Sequence, residues 1–236
     1  MAALRGVSLN IAPGMVTMLL GENGAGKSTA LRLIAGLAVP TRGTVAVFGQ
    51  SEREEWKARL GYMPHASLLY EELGGLENLE YFAALYGIHS RPACRKAMEE
   101  VGLDPGLQRR VGQYSQGMRQ RLSLARAVVH NPDLLLLDEP FSNVDAGSAS
   151  HMAQRLAAMR DAGKSVIVVT HQPQVLDGVA DEAVFLAEGR LADRCRWDAA
   201  AMQKFEAASL ASRVKGVRIV SDSPRRHGGT EGQDVS

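Results

Sequence analysis

Gly21-Glu22-Asn23-Gly24-Ala25-Gly26-Lys27-Ser28-Thr29 fits G-x-x-x-x-G-K-S, the pattern of a loop that wraps nucleotide phosphates. Its flanks supply the order that chemistry needs. Met15 to Leu20 is a short, nearly continuous apolar run, as in a strand buried on both faces. After the loop, Ala30, Leu31, Leu33, Ile34 and Leu37 recur at helical spacing, with Gly36 near the stop. Glycines let the backbone curl so that successive N–H groups point inward at an anion. The positive end of the following helix adds to that field. Lys27 is expected to reach the β- and γ-phosphates, and the Ser28 hydroxyl to bind Mg2+. A chance glycine turn is the competing reading, and the strand and helix on either side argue against it.

Working outward, 236 residues fit one globular domain, or one with a lobe inserted into it. At 45% hydrophobic there is ample material for a core. A net charge of +1, with basic residues spread along the chain, gives no reason to expect nucleic acid as a partner. Cys94 and Cys195 make neither a disulfide framework nor a metal pattern, which fits a reducing interior. No apolar run approaches the length needed to cross a bilayer, and the first residues lack a signal-peptide arrangement. Any membrane step is expected to need another polypeptide.

The residues before the loop, Leu4 to Ile11, alternate like a strand and turn at Pro13-Gly14. Thr44 to Phe48 reads as another strand, Glu52 to Ala58 as a short helix, and Leu60 to Met63 as a brief strand. From Leu76 to about Val129 the pattern turns helical. Leu76, Leu79, Phe82, Ala83 and Tyr86 form one stripe, Ala97, Met98, Val101 and Leu103 a second, and Leu122, Leu124, Ala125, Ala127 and Val128 a third. Packing explains nearly all of them. Strands return at Asp133 to Leu137 and Ser165 to Val169, around a helix from Ala149 to Ala162. Such alternation predicts a mostly parallel α/β sheet. Glu182 to Leu186 and Arg190-Leu191 read as a closing hairpin, and Trp197 to Ala208 as a helix. The polar stretch 221–236 reads as a disordered tail.

Leu134-Leu135-Leu136-Leu137-Asp138-Glu139-Pro140 places two carboxylates at the exit of a buried strand, the edge where α/β sheets bind ligands. Asp138 suits a Mg2+-anchoring role, directly or through water, and Glu139 can orient and deprotonate an attacking water. A solvated acidic turn is the alternative. Tyr114-Ser115-Gln116-Gly117-Met118-Arg119-Gln120-Arg121 stands at the head of a helix, with the pattern S-x-G-x-x-Q. Backbone N–H groups and a serine hydroxyl there face an anion, although an ordinary N-cap explains Ser115 alone. Ser142-Asn143-Val144-Asp145 and Val169-Thr170-His171 follow.

This succession resembles the nucleotide-binding subunit of ABC transporters over Leu4 to about Leu191. The resemblance implies an α/β P-loop NTPase fold, with a mostly parallel sheet and a helical subdomain inserted at about 66–130 of a 1–220 domain. It implies ATP and Mg2+ as ligands and two subunits facing head to tail as a homodimer when ATP is bound. The implied nucleotide contacts are Gly21, Glu22, Asn23, Gly24, Ala25, Gly26, Lys27, Ser28 and Thr29 from one subunit, with Ser115, Gln116 and Gly117 from the other. Asp145 would lie at the seam, Ser28 and Asp138 at the metal, and His171 at the γ-phosphate, holding the water geometry with Glu139. It also implies a peripheral place on the cytoplasmic face of the cell membrane, beside an ABC transmembrane permease.

Three departures stand out. Family members usually begin further upstream with an aromatic that stacks on adenine, whereas no aromatic precedes Phe48 here, which points to a misassigned start or a truncated chain and to weaker ATP binding. The loop after Leu60 to Met63 usually carries a glutamine touching Mg2+ and water, and His65 occupies that place; a protonated imidazole there would repel the cation. The signature reads Ser-Gln-Gly-Met rather than Ser-Gly-Gly-Gln, a variant found among exporters. His65 to Leu73, Leu76 to Leu79, Tyr81-Phe82 and Leu85 to Gly87 resemble the haem exporter ATPase of cytochrome c maturation. Drug, polysaccharide and lipid exporters share most of these residues. A ribosome- or DNA-acting ABC protein would usually carry two nucleotide modules or a long coiled coil, and neither is visible.

Overall fold

A computed structural model describes residues 3–205. Apolar runs rich in β-branched or leucine side chains form the centre: β1 (Val16–Leu20), β3 (Leu134–Asp138) and β4 (Ser165–Val169). With β2 (Leu60–Met63), β5 (Glu182–Ala187) and β6 (Arg190–Arg196) they make a six-stranded sheet in the order β2-β3-β4-β1-β5-β6. All pairs are parallel except β5 with β6. Every residue of β1 and β3 is buried, as expected where both faces are covered.

The helices are α1 (Lys27–Ile34), α2 (Glu54–Lys57), α3 (Gly75–Leu85), α4 (Arg91–Glu100), α5 (Gln116–Val128) and α6 (Ala146–Asp161). On one face, Leu19, Leu136, Ile167 and Val184 of the sheet pack with Leu31, Ala35 and Trp56. Each fully buried side chain of this size contributes roughly 1.5–3 kcal/mol against exposure. Trp56 satisfies its indole by donating to Ile34 O at 3.2 Å. The neighbours β2 and β3 are separated in sequence by residues 64–133, which hold α3, α4 and α5. Gly61 lets α5 lie close against β2, since a Cβ there would stand 2.2 Å from Ala127 O.

Buried polar groups are tied in pairs. Thr17 Oγ1 donates to Glu182 Oε1 at 2.9 Å, and Arg194 Nε and Nη2 both donate to Glu182 Oε2. This group binds β1 to the hairpin. The amide of Asn78, fully buried, accepts from Tyr70 N and donates to the carbonyls of Tyr70 and Gly74.

Two expected strands do not form. Residues 4–11 keep the alternating burial of a strand but join no ladder, and 44–48 hold only an isolated bridge from Val47 to Gln50. Alternation chooses which side chains turn inward; a strand also needs a neighbour for its backbone groups. The two segments instead border a largely apolar groove of about 520 Å³. Smaller shifts concern ends: α6 starts at its Asp145 cap, before Ala149, and β6 runs past Leu191 to Arg196. The chain divides into two units, 1–202 and 203–236. Residues 199–205 are helical; the expected continuation to Ala208 and the tail 221–236 lie outside the described residues.

Candidate active site

The loop after β1 is shaped by close approach. Gly21 has φ 144°, and a Cβ there would lie 2.1 Å from Leu186 O, so no side chain fits. Gly26 is the N-cap of α1 in a left-handed conformation, φ 101°, with no side chain capping the helix. The first-turn N–H groups of α1 therefore remain available to an anion, with the helix dipole behind them. Lys27 is 7% exposed and donates from Nζ to Gly21 O at 2.7 Å and Glu22 O at 3.0 Å. Burial lowers its pKa, while Glu139 and Asp138 pull it back up.

Sheet register assembles the other half. Asp138 pairs with Val169, so Glu139 and Thr170-His171 leave adjacent strands at one edge. Ser28 Oγ donates to Asp138 Oδ1 at 3.2 Å, which joins the two residues expected at the metal. Both are hard oxygen donors, the type Mg2+ takes alongside water and phosphate. Glu139 has a left-handed backbone, φ 55°. Its N–H donates to Val169 O at 2.9 Å, and its Oε2 accepts from His171 N at 3.1 Å. His171 Nε2 stands 3.3 Å from Oε1. Burial pushes the Glu139 carboxyl above its ordinary pKa; His171 and Lys27 oppose this, and Asp138 adds to it. A desolvated carboxylate of raised basicity beside these loop N–H groups can accept a proton from water.

Ser115, Gln116 and Gly117 make no described hydrogen bond to this cluster, unlike Gln120 of the same pattern. Ser115 is the N-cap of α5 and accepts from Met118 N at 3.3 Å, so the capping reading holds for it. Ser115 and Gln116 are exposed; Gly117 faces Asn143, whose carbonyl would be 3.9 Å from an added Cβ. Asp145 is the exposed N-cap of α6, and the Ser148 N–H that it accepts lowers its pKa. His65 is exposed two residues beyond β2. The side-chain bonds of Ser115 and Asp145 stay within their own helices, and Gly117 reaches Asn143.

Sequence reasoning passed over two buried polar residues on α5, Ser123 and Arg126, and quoted a third, Gln120, only as the last residue of the S-x-G-x-x-Q pattern. Gln120 donates to Glu139 O, Ser123 to Ser67 O, and Arg126 to Leu68 O and Tyr62 O. Their i, i+3, i+6 spacing was the available signal, since it repeats on one helical face.

The profile of the ABC transporter family matches residues 4–142. The chain is 34% identical over 197 residues to the ABC transporter ATP-binding protein NatA of Bacillus subtilis, covering 80% of each. It is 35% identical over 191 residues to the bacitracin transport ATP-binding protein BcrA of Enterococcus faecalis, covering 79% of this chain but 62% of that one. It is 33% identical over 193 residues to the Nod factor export ATP-binding protein I of Burkholderia orbicola, covering 79% and 64%. A solved dimer, the ATP-binding cassette MJ0796 in a post-hydrolysis state bound to ADP and Pi, superposes with a TM-score of 0.77 at 26% identity, over 82% of this chain and 90% of that one. Glycine loop, strand-exit carboxylates and this likeness agree: the chain belongs to the ABC transporter family, as one of its ATP-hydrolysing subunits.

Proposed function

We propose that this chain binds and hydrolyses ATP to drive a separate membrane-spanning export subunit. One observation carries the reading: a single sheet edge holds the phosphate loop, the Ser28–Asp138 pair and the pair of half-buried Glu139 with exposed His171. Loop N–H groups and Lys27 hold the phosphates. Mg2+, when bound through Ser28 and Asp138, neutralises phosphate charge. Glu139 takes a proton from the attacking water, which His171 helps to orient against the γ-phosphate.

Residues 1–220 are read as one ATPase domain with a helical insertion at about 66–130. The exposed Ser115, Gln116 and Asp145, with half-buried Gly117, suit contact with a second copy, so each nucleotide would be enclosed by two chains facing head to tail. His65 would approach the metal and water from its loop, and losing the γ-phosphate would remove the extra affinity for the closed pair. Among the described residues no helix is long and apolar enough to cross a membrane. In the same reading the chain lies peripherally, on the cytoplasmic face of its permease.

For cargo, residues 65–87 favour haem in cytochrome c maturation. The second reading, export of a drug, polysaccharide or lipid-like molecule, draws on relatives named for bacitracin and Nod factor. Mild-detergent recovery of the chain from its native membrane separates them. A co-purifying haem-exporter subunit supports haem, another permease discards it, and recovery with ribosomes or DNA alone refutes the transporter role. Hydrolysis by Glu139→Gln at the parental rate would remove Glu139 from the mechanism.

A further inference from the structure

Glu139 sits in a conformation that L side chains adopt at a cost of about 1–3 kcal/mol, so something must hold it there. Its peptide N–H is fixed by Val169 O and its carboxylate by His171 N. Its carbonyl accepts from Ser142 N at 3.2 Å, inside the same turn, and from Gln120 Nε2 at 2.9 Å, across from α5. Gln120 is 3% exposed. Among the described bonds to Glu139, it is the one that comes from the helix headed by Ser115.

Gln120 opens the buried polar line on α5. Three and six residues on, Ser123 Oγ donates to Ser67 O at 3.1 Å, and Arg126 donates to Leu68 O at 3.2 Å and Tyr62 O at 3.3 Å. One helix face is thus stitched to both strand exits, that of β3 with Glu139 and that of β2 with His65.

We propose that Gln120 is a positioning residue for hydrolysis: it locks the left-handed main chain of Glu139 to α5 and so aims the carboxylate. The proposal rests on Glu139 being the base. Because Ser142 still satisfies the carbonyl, losing Gln120 loosens the aim without leaving a buried oxygen bare.

The test uses the full chain with Mg2+ and ATP, measuring steady-state kcat and KM together with thermal melting. Gln120→Met is expected to lower kcat about tenfold, short of the 10²-fold that a 1 Å misplacement can cost, with KM changed less than twofold. Placed in Glu139→Gln, the same change should alter residual hydrolysis less than twofold. Should Gln120→Met fold poorly, Gln120→Leu also removes the donor with an apolar side chain of helical propensity, and the same kcat loss is expected. An unchanged kcat, or an equal fold-loss with and without Glu139, overturns the proposal. The two readings fail differently. A fully active Glu139→Gln removes the base assignment, whereas an inactive Glu139→Gln beside a fully active Gln120→Met removes only the role of Gln120.

Discussion

His171 meets Glu139 twice: its main-chain N–H donates to Oε2 at 3.1 Å, and its imidazole Nε2 stands 3.3 Å from Oε1. The second approach lacks hydrogen-bond alignment, so Oε1 is buried with no hydrogen-bond partner. One oxygen is anchored and the other is bare. The bare one is the atom suited to receive a proton.

Burial raises the Glu139 pKa, against the pull of His171 and Lys27. A base works ionised, so kcat should fall as pH drops through a midpoint above the ordinary carboxylate value. His171→Gln removes the imidazole's opposing pull and should move that midpoint upward. A pH–rate profile checks both, and a midpoint that stays or moves down in the variant contradicts the assignment. The sign for stability follows from linkage. A carboxyl with a raised folded pKa helps the fold below its unfolded pKa, and that help is lost as pH rises through the folded pKa. At neutral pH Glu139→Gln should therefore melt at or above the parent.

Gly21 and Gly24 both have positive φ, but their surroundings differ. A Cβ at Gly21 meets Leu186 O at 2.1 Å, while one at Gly24 meets nothing within 4 Å. Gly24→Ala should cost roughly 1–2 kcal/mol from backbone strain alone. Gly21→Ala should cost about 3 kcal/mol or more, because β5 must also move. Urea unfolding of the two variants gives the order, and equal losses would refute it.

Arg194 covers the buried carboxylate of Glu182, yet its own side chain is 39% exposed, so water reaches part of the pair. Arg194→Met should cost about 1–2 kcal/mol by leaving Glu182 with Thr17 alone, a discount from the loss at fully buried pairs. Replacing both Arg194 and Glu182 by Met should cost less than the single change. Thermal melts that rank the double variant as the less stable would contradict this.

Ser28 Oγ donates to Asp138 Oδ1 at 3.2 Å, and in the proposed site the two oxygens share one cation. Ser28→Ala should weaken ATP binding about tenfold in Mg2+, the effect of one charge-assisted contact. In EDTA the affinity should stay within a factor of about two, since the loop N–H groups remain. Calorimetric titration under both conditions decides; an equal loss in each would assign Ser28 to phosphate instead.

Much of this was readable in the chain itself. Leu60 to Met63 and Ser165 to Val169 are strands at the expected residues, because apolar runs between breakers leave few alternatives. Ser28 and Asp138, 110 residues apart and both singled out from their motifs, are joined by a hydrogen bond. Thr44 to Phe48 misled, since alternation reports burial and says nothing about a pairing partner. Ser123 and Arg126, and the inward contact of Gln120, were obscured for another reason: a polar side chain in an amphipathic helix normally reads as its wet face. Only the packed structure turns that face onto two strand exits.

The left-handed backbone at Glu139 also bears on how the protein can be altered. Glycine or asparagine would relieve the strain there, and both would discard the carboxylate. At this position heat resistance and turnover pull in opposite directions. With Glu139 as the proposed base, a laboratory selection that rewarded thermal survival alone would accumulate inactive proteins at residue 139, while one that rewarded hydrolysis would keep the strained glutamate and repair its losses elsewhere in the core.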